Sequence, residues 1–225
     1  RYCLGRARAV ETELLREFAK RTEMQIRARL PDAVRRTYRL ARSLGPVDPI
    51  AAVPADLLED CRFCSSREAM LPLLPQGGVV AELGTYRGDF ARSIMRLNRP
   101  SALHLIDIDY SQFNGEGLGG AAITRHVGYT HEAIAAFPDD HFDWVYIDAD
   151  HSHAGCLRDA QAAAAKVKPG GYVVFNDFAH IDPWLGRYGV QRAAADFAIA
   201  HRWPMAFFCY QPAGLYDVAF RRPAA

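Results

Sequence analysis

The chain has 225 residues, is 50% hydrophobic and carries a formal net charge of +1. That is enough for one substantial α/β domain with an appended helical segment, and it excludes a wholly disordered chain or a small disulfide-stapled scaffold. No apolar run reaches the length of a membrane span and no signal-peptide pattern opens the chain, so a cytoplasmic protein without a membrane partner is expected. The five cysteines, Cys3, Cys61, Cys64, Cys156 and Cys209, are an odd number and are read as free thiols. Cys61 and Cys64 form a C-x-x-C, but no second pair follows at zinc-site spacing.

Charge is unevenly placed. Residues 1–44 hold twelve Lys or Arg against five Asp or Glu, and the remainder holds fifteen against twenty-one. Apolar positions run through the basic segment: Val10, Leu14 and Phe18, then Val34 and Tyr38, recur at i, i+4 on either side of Pro31-Asp32. This pattern favours two amphipathic helices, ended by Gly45-Pro46, over a nucleic-acid partner, which is not expected. These helices are candidates for a substrate-covering cap or a homo-oligomer surface. A proline-rich linker follows at 47–56, and Leu57, Leu58, Met70 and Leu71 predict one more helix over about 55–73. The helical extension is therefore placed at 1–76 and the core domain at 77–225.

The core begins with Val79-Val80-Ala81, an apolar run bounded by Gly77-Gly78 that suits a buried parallel strand. It leads through Glu82, Gly84, Thr85 and Gly88 into a helix predicted over 88–98. Glycine at such a turn adopts positive φ, or lies against a ligand with no Cβ in the way, and the first amides of the helix face that ligand. The G-x-x-x-G spacing fails the G-x-G-x-x-G fingerprint of dinucleotide-binding turns. Further strands are predicted at 102–107, 123–127, 144–147, 172–175, 205–210 and 216–221, with helices at 131–137, 154–167 and 189–202. Strand-helix alternation implies right-handed crossovers and a mostly parallel, seven-stranded Rossmann-like sheet with helices on both faces, closed by a hairpin. Between the second and third strands, glycines at 115, 117, 119 and 120 predict a loop or a shortened helix.

In such a sheet, ligands bind beyond the carboxyl ends of the strands. The residues placed there are Glu82, Gly84 and Gly88; Asp107, with Asp109 as a rival; Gly128, Tyr129, Thr130 and His131; Asp148, Asp150, His151 and His153; and Asn176, Asp177 and His180. Thr130 has a second reading as a helix N-cap. Carboxylates on adjacent strand ends converge on one point, and a hard divalent cation is one way to relieve their repulsion.

Glu82-x-Gly84-x-x-x-Gly88 resembles the first motif of class I S-adenosylmethionine (SAM) methyltransferases. I-D-A-D-H-S-H at 147–153 and K-P-G-G-Y-V-V-F-N-D at 168–177 resemble the metal-dependent small-molecule O-methyltransferases, in particular the macrocin-type branch. The resemblance spans roughly 77 to 222. It implies SAM held by Glu82, Gly84, Thr85, Gly88, Asp107 at the ribose, Gly128 and Thr130 at the adenine, and Asp148. It also implies Mg²⁺ on Asp148, Asn176 and Asp177, with Asp150 or His151 as the base, acting on a hydroxyl of a small, sugar-containing or other secondary metabolite. The alternatives are a metal-independent methyltransferase or a hydroxylase on the same fold. From another class comes a non-catalytic binding module using the basic N-terminal segment.

Overall fold

Val79–Leu83, apolar on both faces except for Glu82, forms strand β2 near the centre of the sheet, with Val80, Ala81 and Leu83 fully buried. The protein is described from a computed structural model, which covers Val34, Thr37, residues 50–179, 181–182, 186–212 and 214–224. The helices expected over the first 44 residues, and the cap and oligomer readings placed on them, lie outside the described residues apart from Val34 and Thr37. Residues Val47–Ala225 form one compact unit.

In chain order the strands are β1 Arg62–Cys64, β2, β3 Ala102–Asp107, β4 Ile123–Val127, β5 Phe142–Ile147, β6 Val167–Phe175, β7 Ile181–Asp182, β8 Gly186–Arg187, β9 Met205–Cys209 and β10 Asp217–Arg221. The helices are α1 Arg67–Met70, α2 Asp89–Leu97, α3 Thr130–Ala135, α4 His153–Ala164 and α5 Val190–His201. Among the described residues the main sheet has eight strands in the order β1-β9-β10-β6-β5-β2-β3-β4, and β7 and β8 pair separately as a small antiparallel ribbon. β10 is the antiparallel strand, lying between β6 and β9 and forming the expected hairpin with β9. The architecture is the expected Rossmann-like one. The strand count is a correction: eight, not seven.

The extra strand is β1, which pairs in parallel with β9 at the sheet edge. It falls where one helix is expected over 55–73. The helix is broken because Ser66 turns to extended backbone and its hydroxyl accepts from the Ala69 N–H at 3.1 Å, capping a new short helix instead of continuing an old one. Asn98, fully buried at the end of α2, then ties this segment down. Its amide donates to the carbonyls of Leu71 and Pro75 at 3.0 Å each and its oxygen accepts from the Trp144 indole at 3.2 Å.

Two apolar layers sandwich the sheet. Ile134, Ala160, Ala163, Val190, Ala194 and Phe197 bring α3, α4 and α5 onto one face, while Met70, Phe90, Ala91 and Ile94 bring α1 and α2 onto the other. The strand order reverses between β2 and β5, the place where ligands enter such sheets. Among the described residues no helix joins β3 to β4. The connection is a glycine-rich loop, held by Arg92 donating to the Asn114 carbonyl at 3.0 Å and by burial of Leu118. Cys61, Cys64, Cys156 and Cys209 are free thiols. No helix among the described residues is long and apolar enough to cross a membrane.

One polar cluster on the sheet carries a pH dependence. His104 Nδ1 on β3 lies 3.0 Å from His126 Nε2 on β4, with the rings of Phe137 and His141 at 4.9 and 5.9 Å. Burial, and then the neighbouring His126 and His141, push the His104 pKa down to about 4. The unfolded value is about 6.5, so the neutral ring contributes stability above pH 6.5 that is lost as pH falls through 4. Urea midpoints at pH 7 and pH 5 should therefore drop more for the wild type than for His104→Phe; equal drops would refute the assignment.

Candidate functional site

The site forms where β2, β5 and β6 end side by side. The Asp148 N–H donates to the Leu83 carbonyl at 2.7 Å, and the Asn176 N–H to the Ile147 carbonyl at 3.0 Å, so the three strand ends are locked in register. Gly84 sits at the β2 end with φ of +88°, and a Cβ there would lie 2.1 Å from the Asp148 carbonyl oxygen. The positive φ is the conformation expected of this glycine, and its close approach is to the chain's own carbonyl. Glu82 and Thr85 flank it, both buried, and Glu82 Oε2 and Thr85 Oγ1 have no aligned hydrogen-bond partner. Burial, and then the charge of Asp148, raise the Glu82 carboxyl well above the ordinary carboxylate range.

Asp107 does not stand open at its strand end. Its Oδ2 accepts from the Thr85 and Tyr86 N–H groups at 2.7 and 2.8 Å, and its Oδ1 from the Asp109 N–H at 3.1 Å. It therefore shapes the glycine turn directly. Asp109, its rival, accepts from the backbone and hydroxyl of Ser111. The Gly128 N–H donates to the Asp107 carbonyl at 3.0 Å, bringing the end of β4 alongside. Tyr86, Ile108 and Val127 expose apolar surface at these ends. Thr130 opens α3 without capping it; its hydroxyl contacts the buried Asp159 on α4 at 2.6 Å. Burial pushes the Asp159 carboxyl up to about 6.

The two candidate bases separate. Asp150 is drawn to the start of α4, where its Oδ1 accepts from the Ser152 N–H at 2.9 Å and its carboxylate packs on Gly155. His151 instead turns into the site. Its Nε2 lies 3.4 Å from Asp148 Oδ1 and 3.7 Å from Asp177 Oδ2, at ion-pair distance but without hydrogen-bond alignment. The ring stacks on Tyr188 with centroids 4.5 Å apart and planes within 11°, and its carbonyl accepts from the Gly189 N–H at 2.8 Å. Burial disfavours the charged ring, but Asp148, Asp177 and the Asn176 side chain outweigh it, and the pKa lies above the ordinary histidine value. His153 pairs with Asp196 on α5 at 2.8 Å. His180 is outside the described residues.

The expected magnesium site is not assembled as the resemblance implies. Asp148 and Asp177 do converge, yet the imidazole nitrogen occupies the point of convergence, and the Asn176 amide is engaged on its inner side. Its Nδ2 donates to Tyr146 Oη at 2.9 Å and to Asp217 Oδ1 at 3.2 Å. Among the described residues no group of three His, Cys, Asp or Glu is disposed to hold a metal ion. The donors do not fit the ion as they stand.

Three residues of the site were not singled out from sequence. Tyr146 on β5 and Asp217 on β10 are buried and joined by a 2.6 Å hydrogen bond. Arg67 of α1 donates to Tyr146 Oη at 3.2 Å and lies over the Phe90 ring at 4.5 Å. An aspartate opening an otherwise apolar strand is the one signal that pointed to Asp217, because a buried carboxylate demands partners.

Residues 81–178 match the family model of a methyltransferase domain, a span that contains Glu82, Gly84, Asp107, Asp148, His151, Asn176 and Asp177 but not Arg67, Tyr188 or Asp217. Similar folds include an S-adenosylmethionine-dependent methyltransferase from Mesorhizobium loti, at 15% identity and a TM-score of 0.52 over 68% of this chain and 96% of that one. An O-methyltransferase family protein from Burkholderia thailandensis aligns at 12% identity and a TM-score of 0.54, over 70% of this chain. The present chain spans only 55% of that protein. The N-methyltransferase NodS from Bradyrhizobium japonicum aligns at 16% identity and a TM-score of 0.52, over 70% and 94% of the two chains. No curated protein matches the chain.

The fit at Gly84 gives the packing of these strand ends a local test. Gly84→Ala forces a side chain into the Asp148 carbonyl and strains a left-handed backbone, and should cost at least about 2 kcal/mol of folding stability. A thermal unfolding midpoint equal to that of the wild type would contradict the packing described.

Proposed function

We propose that the chain is a SAM-dependent O-methyltransferase that uses His151 as its general base toward a hydroxyl of a small molecule. The observation that carries this reading is the His151 imidazole, held between Asp148 and Asp177 one strand away from the Gly84 turn. The cofactor suits the residues present. Gly84 lets the turn close on the Asp148 carbonyl and Gly88 lets it close on Leu118 and Phe113, while the buried Glu82 Oε2 and Thr85 Oγ1, without an aligned partner, suit a ligand that brings hydrogen-bonding groups. The exposed Tyr86, Ile108 and Val127 suit the flat adenine.

When bound, SAM supplies a methyl group on a positively charged sulfur, open to in-line attack. The chain's own part is to position and deprotonate the acceptor. His151 Nε2 takes the proton of the attacking hydroxyl, and the carboxylates of Asp148 and Asp177 stabilise the imidazolium that forms. Stacking on Tyr188 and the Gly189 hydrogen bond hold the ring in place. Thr130, Gly128 and Asp107 line the cofactor side, and Asp150 holds the start of α4 behind His151.

Magnesium is a second reading, favoured by the approach of two carboxylate oxygens to one point. It requires His151 to leave that point, so ion and imidazole compete. A hydroxyl acceptor is favoured over an amine because an alcohol needs a base to give up its proton during attack.

Calorimetry should register SAM binding to the wild type, and mass spectrometry should find an added methyl on a hydroxyl-bearing metabolite. His151→Ala should keep SAM affinity and lose about 10²–10⁴-fold in turnover. Turnover should rise with pH through a midpoint above about 6.5, as the raised pKa requires. Undiminished turnover in His151→Ala would overturn the base assignment, and absence of SAM binding would overturn the cofactor reading.

A further inference from the structure

Arg67 brings a permanent positive charge to the strand ends, on the face of the sheet covered by α1 and α2. Glu82 and Tyr146 are direct partners in the parallel pair β2 and β5, so their side chains leave the sheet on the same face, from strands about 5 Å apart. The ring of Phe90, the second residue of α2, packs on the Tyr146 ring with centroids 4.2 Å apart. Arg67 closes this corner. Its Nη1 donates to Tyr146 Oη at 3.2 Å, and its guanidinium lies over the Phe90 ring at 4.5 Å. Its Nε donates to Glu68 Oε1 at 3.3 Å, and Glu68 is the one carboxylate at ion-pair distance among the described residues. Nη2 has no hydrogen-bond partner among the described residues, and 29% of the side chain is exposed. A guanidinium keeps its proton and presents its donors as a planar fork that matches a carboxylate. The open donor therefore suits an anionic group of a ligand.

We infer that Arg67 takes the carboxylate of the amino-acid group of SAM. The inference rests on the cofactor reading above, and three directions around the strand ends carry it. The sulfur of SAM bears three diverging carbon arms: the adenosyl group, the transferable methyl, and an aminobutyrate chain that ends in the carboxylate. The exposed surface of Ile108 and Val127, which suits the adenine, lies at the ends of β3 and β4. His151, toward which the methyl must point, stacks on Tyr188, a member of the apolar layer under α3, α4 and α5. Tyr146 and Phe90 belong to the opposite layer, and Arg67 stands on them. The third arm is left with that opposite face, where Arg67 is the group that binds an anion. Arg67 precedes the residues matched by the methyltransferase model, so this contact comes from the short segment that the Ser66 cap and the pairing of β1 with β9 hold in place.

The experiment compares two ligands that differ only in the carboxylate, SAM and decarboxylated SAM, by calorimetric titration into the wild type, Arg67→Met and Arg67→Lys. Methionine keeps an unbranched stem over Phe90 without the charge, and lysine keeps the charge without the fork. The wild type should bind SAM about 10- to 100-fold more tightly than decarboxylated SAM, the range expected of a charge-assisted hydrogen bond. Arg67→Met should lose that preference by weakening SAM while leaving decarboxylated SAM within about twofold, and Arg67→Lys should keep part of it. A purely structural role for Arg67 would instead weaken both ligands together. Equal binding of the two ligands by the wild type, or an undiminished preference in Arg67→Met, would overturn the inference and leave the cofactor reading standing. Failure of the wild type to bind either ligand would overturn the cofactor reading and the inference with it. If Arg67→Met does not fold, the wild-type preference and its reduction in Arg67→Lys decide the matter, and a preference unchanged in Arg67→Lys counts against the inference.

Discussion

The contact on which the rest of the site depends is the imidazole of His151 set between the carboxylates of Asp148 and Asp177. Two carboxylates brought to one point by adjacent parallel strands repel one another, and the repulsion grows as water is excluded. A cation between them offsets that cost. Here the chain provides it from its own sequence, three residues beyond Asp148. The same arrangement gives the ring its chemistry, since a proton taken up by Nε2 is stabilised on two sides. Asp177 reaches its position from a left-handed backbone, with φ of +54°, a conformation that aspartate tolerates better than most side chains.

Beneath this contact the fold inserts β10 between β6 and β9, and the cost of that insertion is a carboxylate buried in the sheet. Burial raises Asp217 to about 7, even though the Tyr146 hydrogen bond and Arg67 act in the opposite direction. A buried charge is seldom kept for stability alone, because well-packed apolar groups usually serve as well. In this sheet it accepts from Tyr146, Asn176 and Gln211, and the Asn176 side chain stands at the end of β6. Arg67 arrives from α1, whose position depends on the Ser66 cap and on Asn98, so a short segment ahead of β2 is tied to the end of the sheet where Asp148 and Asp177 meet.

Much of this was legible in the sequence. Apolar runs bounded by glycine or proline located β2 to β6 and the closing hairpin, and the glycine turn after β2 was placed correctly because only a residue without a Cβ fits against the Asp148 carbonyl. β1 was not legible: three residues carry no periodicity, and Leu57, Leu58, Met70 and Leu71 mimic one helical stripe across what are separate turns. Strand-end logic gathered Asp148, His151, Asn176 and Asp177, since position beyond a strand is a property of topology. It did not separate Asp150 from His151, because the sequence does not reveal which of two neighbours caps the next helix. Nor did it reveal that the Asn176 amide donates to Asp217, forty-one residues further along the chain.

The most direct test of the central contact is a calorimetric titration of magnesium into the wild-type protein and into His151→Ala at neutral pH. With the imidazole holding the point of convergence, the wild type should give no saturable binding, and the variant, with two carboxylates left facing one another, should bind the ion. Saturable magnesium binding to the wild type, at an affinity that removal of His151 leaves unchanged, would contradict the account.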